Sequence, residues 1–138
     1  MKTFHITSFV FVVGIGLGSA SVIADTMSKD EYKIQKDKID ATYKVDKERC
    51  ESLSGNAEDV CVAEAKGRRD VDKANLEAKN NPTDKNQYDA RMARIDADYA
   101  IAKEKCDDLN GNAKDVCVEE AKAAKEQATN EAKAQLKP

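Results

Sequence analysis

Four cysteines carry whatever covalent chemistry this chain can do. Cys50 and Cys61 bracket the stretch CESLSGNAEDVC, and Cys106 and Cys117 bracket CDDLNGNAKDVC, the same phrase displaced by 56 residues. Thiols at fixed spacing can hold a metal, run redox exchange or close as disulfides. A structural zinc site wants four thiolate or imidazole ligands, typically with closely spaced pairs. Here no Cys-x-x-Cys occurs, and the single histidine, His5, stands near the N-terminus. The same absence removes a thioredoxin-like redox pair. Two disulfides are the remaining reading, and an even number of cysteines at matched spacings in a small exported chain is their usual signature.

The rest of the inventory is poor in reactive groups. Ser28, Ser52 and Ser54 sit in no nucleophile motif. The carboxylates alternate with Lys and Arg, the pattern of a solvated, ion-paired helix surface. The stretch Asp107 to Asn112 lacks the ligand spacing and terminal glutamate of a calcium loop. The expectation is therefore no catalytic residues, no cofactor and no metal: a protein that is not an enzyme. Lys and Arg number 23 against 26 Asp and Glu, giving a net charge of −3, and the two signs are interspersed. Nucleic-acid binding thus has no electrostatic support.

The first 24 residues differ from the remainder. Met1-Lys2 is a short basic start, Ile6 to Leu17 is mostly apolar, and Val22 and Ala24 are small residues at −3 and −1 of a cut between Ala24 and Asp25. That is the layout of a secretory signal peptide. Its apolar run is shorter than the ~20 residues a membrane span needs, so no membrane association is expected after cleavage. Phe4, Phe9, Phe11 and His5 leave with it, so Tyr32, Tyr43, Tyr88 and Tyr99 are the aromatics of the mature chain. The expected location is periplasmic or secreted, where disulfides persist.

The 56-residue displacement aligns far more than the cysteines. Tyr32 meets Tyr88, Ile39 meets Ile95, Tyr43 meets Tyr99, and Gly55-Asn56-Ala57 meets Gly111-Asn112-Ala113. Two copies of one supersecondary unit follow. In the second copy Tyr88, Met92, Ile95, Tyr99, Ala102, Cys106 and Leu109 recur at spacings of four and three, a coiled-coil-like helical seam. The first copy keeps Tyr32, Ile39, Tyr43, Cys50 and Leu53 but places Lys36 and Asp46 in the seam.

Gly55 and Gly111 suit the left-handed residue that ends a helix, and Asn56 and Asn112 suit the cap of the next. Helices are expected at 28–54, 57–79, 84–110 and 113–136, with Asn80 to Asp84 breaking the middle around Pro82. Cys50 and Cys61 are symmetric about the first turn and Cys106 and Cys117 about the second. Mirrored positions of an antiparallel hairpin lie side by side, so the pairing Cys50–Cys61 and Cys106–Cys117 is expected.

The fold class is all-α: two disulfide-stapled antiparallel helical hairpins forming either an up-down-up-down bundle or a hinged pair. The layout is signal peptide 1–24, first hairpin 25–80, linker 81–85 and second hairpin 86–138. Ile34, Val45, Val62, Leu76, Ile101 and Val118 are candidates for a shared core. A narrow stripe of Ala121, Ala124, Ala128 and Ala132 should let the second hairpin close tightly. The first, with Ala65, Arg68 and Asp72 on that face and Gly67 nearby, should be looser at its open end.

The four tyrosines recur at two seam positions in both copies. They are either the bulky core residues or the lining of an apolar groove, at Tyr32, Tyr43, Tyr88 and Tyr99, that accepts a partner segment. The pattern Cys-x-x-Leu-x-Gly-Asn-Ala-x-Asp-Val-Cys-Val-x-Glu-Ala-Lys, from Cys50 to Lys66 and from Cys106 to Lys122, resembles that of small exported proteobacterial proteins rich in Ala, Lys, Glu and Asp, sometimes labelled TolA-like. The resemblance implies an exported, helical, non-enzymatic protein and no site residues. The expected role is a structural or interaction protein of the cell envelope, with a protein partner. The alternative is a stress protein that holds an unfolded client in a helical groove.

Overall fold

The computed structural model describes residues 27–136. The expected signal peptide and its cut at Ala24–Asp25 lie outside them. Four helices follow one another: α1 (Lys29–Cys50), α2 (Asn56–Asn80), α3 (Asp84–Cys106) and α4 (Asn112–Ala134). Their starts are written in local chemistry. The Ser28 hydroxyl accepts from the Glu31 amide at 3.2 Å, and Thr83 does the same for Asn86 at 3.1 Å, each satisfying an orphan donor of the first turn. Asp30, Glu31 and Asp84 sit in first turns and Lys47, Arg49, Lys103 and Lys105 in last turns, all on the favourable ends of the helix dipole.

The helices stop earlier at the hairpin bends than the seam predicts. α1 ends at Cys50, not 54, and α3 at Cys106, not 110. After Cys50 the chain tightens into three-residue steps: Ser52 N–H donates to the Arg49 carbonyl and Leu53 N–H to that of Cys50. Leu53 and Leu109 therefore leave the seam and stand exposed, at 45% and 40%. The cap assignment also shifts by one residue. Gly55 (φ 60°, ψ −147°) and Gly111 (φ 55°, ψ −140°) are themselves the N-caps, in a region of backbone space open essentially to glycine alone. Their carbonyls receive the first bonds of the next helix, from Glu58 and Asp59 and from Lys114 and Asp115. Asn56 and Asn112 become first helical residues, and no side-chain cap forms.

The helices alternate in direction and pack only on their chain neighbours, α1 on α2, α2 on α3 and α3 on α4. On α2, Cys61 and Ala65 point to α1, while Gly67, two residues on and so roughly 200° round the helix, meets Ala97 and Ile101 of α3. Ala97 is likewise two residues from Tyr99, which faces α4. Opposite faces of each middle helix are therefore in use, and the up-down bundle is open: a single layer of four helices, with α1 and α4 at its edges. The two hairpins are joined through α2 and α3 instead of swinging on a hinge.

A single layer buries little. The buried apolar side chains are Cys50, Ala65, Leu76, Ala97, Cys106, Ala121 and Ala132, so Leu76 is the one large aliphatic among the described residues to reach the interior. The expected shared core does not form: Ile34 and Val45 lie 67% and 47% exposed on the outer edge of α1, and Val62, Ile101 and Val118 are half-buried. The alanine stripe holds at Ala121, Ala128 and Ala132 but not at Ala124, which is exposed while Lys125 turns inward.

With so thin a core, the two cross-links carry much of the restraint. Each closes a loop of 11 residues, worth about 3 kcal/mol through restriction of the unfolded chain. Replacing either pair by alanine (Cys50 with Cys61, or Cys106 with Cys117) is expected to cost about 2–4 kcal/mol. Thermal melting followed by circular dichroism measures this, and reduction of the native protein should lower the midpoint by more than either pair alone.

Candidate functional site

The sequence-predicted cysteines come together as expected. Cys50 is bonded to Cys61 with their Cα atoms 5.5 Å apart, and Cys106 to Cys117 at 5.7 Å. Two helices with axes ~10 Å apart and a Cα radius of ~2.3 Å bring facing Cα atoms to about this separation. The bridges thus fit ordinary helix packing. Cys50 and Cys106 are almost fully enclosed, at 1% and 0% exposure, which shields each bridge from one side.

Below each bridge the hairpins are stitched by polar groups. Tyr43 lies under the Arg69 guanidinium, 4.4 Å from the ring centroid, and Tyr99 lies under the Lys125 ammonium at 4.8 Å. Arg69 and Lys125 are repeat equivalents, so the same cation-over-ring contact is built twice, each worth about 0.5–1 kcal/mol at a partly exposed site. Lys125 also reaches Asp96 at 2.8 Å, and that hydrogen bond, then the charges of Asp96 and Tyr99, hold its ammonium above the usual lysine range.

In the first hairpin Asp46, only 13% exposed, receives Arg49 at 3.2 Å and Arg68 at 2.7 Å, and Lys73 reaches Asp40 at 2.5 Å. Near the open end the Tyr32 hydroxyl donates to Glu77 at 2.8 Å, beside the buried Leu76. The end expected to be loose therefore carries its own fastening. The seam departure Asp46 and Arg68 of the facing helix are ion-pair partners across the hairpin.

All four tyrosines are half-buried. Tyr32, Tyr43 and Tyr99 each contact a polar group of the neighbouring helix of their own hairpin. Two open grooves lie elsewhere, on either side of the α2–α3 seam. One, of about 580 Å³, has an apolar floor of Val62, Ala63, Ala93 and Ala100 under Asp59, Asp70 and Glu104. The other, of about 410 Å³, is lined by Val71 and Ile101 among charges of both signs, including Arg68, Asp72 and Arg94. Both share Gly67 and Ala97 at their base.

Gly67 is the residue whose role the sequence reading missed. A Cβ there would sit 2.8 Å from the Ala97 Cβ and 3.5 Å from its Cα, so glycine is what lets α2 and α3 approach. The available signal was the broken repeat: Gly67 corresponds to Ala123, and glycine inside a helix costs about 1 kcal/mol relative to alanine unless contact requires it. Among the described residues no group of three or more His, Cys, Asp or Glu converges as a metal site. No described helix is long and apolar enough to cross a membrane.

Gly67→Leu should wedge the hairpins apart at a cost of about 1–3 kcal/mol, seen as a lower melting midpoint and a larger radius of gyration by small-angle scattering. Gly67→Ala should cost less, and adding Ala97→Gly should recover part of the loss. Such coupling is the mark of a direct contact.

A second measurement concerns alkaline pH. The Glu77 carboxylate accepting the Tyr32 hydroxyl, with some burial, raises that phenol above its ordinary value, and Lys125 is raised likewise. Both hold their protons more firmly folded than unfolded. The stability they add is complete below the unfolded pKa values, near ~10 for both types, and is lost as pH rises through the folded ones. Ultraviolet titration should show a late-ionising component that vanishes in Tyr32→Phe, and the loss of stability above pH ~10 should be shallower in that variant.

Comparison with known proteins adds no label to this geometry: no family model, no curated protein and no solved structure matches the chain.

Proposed function

We propose that this chain is an exported, non-enzymatic structural or interaction protein of the bacterial cell envelope, working in the periplasm or beyond it. The observation that carries this reading is the pair of bridges, Cys50–Cys61 and Cys106–Cys117, each closing its own hairpin. Such bridges form and persist in oxidising compartments, and a layer this poor in buried apolar side chains depends on them. The signal-peptide layout of the first 24 residues and the resemblance to small exported Ala/Lys/Glu/Asp-rich proteins point the same way. A charged helical layer with an apolar seam between its hairpins suits protein partners; Tyr32, Tyr43, Tyr88 and Tyr99 are further contact candidates where the two helices of a hairpin part.

A second reading is favoured by the apolar floor of the larger groove, Val62, Ala63, Ala93 and Ala100: a holdase seating an extended apolar stretch of an unfolded client. Fractionation of a Gram-negative host expressing the full chain tests the first reading. The expected product is periplasmic, oxidised and begins at Asp25; a cytoplasmic product with free thiols overturns it. Suppression of the aggregation of a model client at several-fold excess separates the second reading from the first, and its absence removes the holdase.

A further inference from the structure

The duplication leaves a mark on the edges of the layer. α3 docks on α2 by setting Ala97 and Ile101 against Gly67 and by pairing Lys105 with Glu64 at 3.5 Å. Moved back by one repeat of 56 residues, this docking edge of α3 becomes Ala41, Val45 and Arg49 on α1. All three are exposed: Ala41 and Val45 lie on the side of α1 that faces away from α2, with Ile34 beside them at 67% exposure, and Arg49 lies on its flank, where it also pairs with Asp46. Moved forward by one repeat, the docking edge of α2 becomes Glu120 and Ala123 on α4. Both are exposed, and Val116 one turn earlier is 47% exposed. The two free edges of the layer are thus repeat copies of the two edges that are joined in its middle.

We propose that a second copy of this chain docks head to tail, the outer edge of α4 in one molecule against the outer edge of α1 in the next, in the manner of the internal α2–α3 contact. The charges support this occupant. The Lys105–Glu64 pair becomes Arg49 and Glu120, again of opposite sign. Ala63 and Ala100, which line one groove at the internal seam, become Glu119 and Lys44, a second opposite pair. Val45 takes the place of Ile101 and keeps an apolar contact over Ala123.

Other substitutions make the joint looser than its template. Ala123 stands where Gly67 permits close approach, Gln127 and Asn130 replace Val71 and Ala74, and Asp37 would face Glu126. Weak, reversible association is the consequence. Because the two surfaces differ, the contact is heterologous and does not close at a dimer: copies add in a row. This inference builds on the reading of the chain as a structural protein and names its partner as itself.

Sedimentation velocity of the oxidised protein from about 10 μM to about 1 mM, a range that reaches millimolar dissociation constants, tests it. Average size should rise continuously past the dimer. Arg49→Glu and Glu120→Arg should each weaken association by roughly three- to tenfold, and the double variant should restore it; helicity should hold in all three, while the two proteins carrying Arg49→Glu also lose the Arg49–Asp46 pair and melt earlier by the same amount whether or not association is restored. A monomer at every concentration overturns the proposal. So does association that stops at a dimer and ignores Glu120→Arg, which would signal α1 pairing with α1. The two readings fail separately: an exported, oxidised monomer removes the assembly and leaves the envelope role, whereas an assembling protein retained in the cytoplasm does the reverse.

Discussion

Each hairpin depends on one covalent constraint, placed a few residues from its bend. With Cα atoms 5.5 Å apart at Cys50–Cys61 and 5.7 Å at Cys106–Cys117, the bridges hold the paired helices at ordinary packing distance before any side chain below them has to contribute. That matters because little lies below. Alanines and one leucine form the interior, and alanine burial contributes only a fraction of what a Leu or Phe core would. The closed loop removes unfolded conformations instead of adding native contacts, which frees most of the remaining surface to be charged.

The second constraint is steric. A single layer of helices gives each middle helix two opposite contact faces, and both must be lined by small residues if the helices are to approach closely. On α2 one face carries Ala65 and the other Gly67; on α3, Ala97 fills the same role toward α2. The width of the α2–α3 seam is therefore set by a missing Cβ. The two grooves beside it follow: where small residues meet, the longer charged side chains on either side splay outward and leave an apolar floor between them.

Much of this was legible in residue types. The repeat, the four helices, the pairing of the cysteines and the antiparallel bends all follow from Cys, Gly and apolar spacing. The helix ends at the bends did not, because Leu53 and Leu109 continue the heptad arithmetic although the backbone has already begun to turn. Periodicity reports which face a residue would take, not whether the helix still exists there. The shared core failed for a different reason. Ile34 and Val45 look like core residues by type, but their face has no partner within the layer, and which faces are covered is a property of topology that spacing alone does not contain. Asp46 and Lys125 show the converse: polar residues at inward positions are accommodated because each finds a partner across its hairpin.

The two hairpins have diverged in a consistent physical direction. The first closes with ion pairs, through Asp46 with Arg68 and Asp40 with Lys73, and a tyrosine–carboxylate bond. The second keeps one such pair, Lys125 with Asp96, and otherwise closes on small side chains at Ala121, Ala128 and Ala132. Surface ion pairs add little stability but penalise misregistered alignments, since a helix slipped by one turn sets like charges together. Alanine stripes do the opposite, tolerating sliding while permitting close approach. In both hairpins the bridge beside the bend removes the sliding freedom, so the same covalent device can serve an interior specified by charge and one specified by size. The bridge, the glycine bend and the tyrosine beneath its cation are thus common to both copies, while positions such as Asp46 and Ala102, or Leu76 and Ala132, differ.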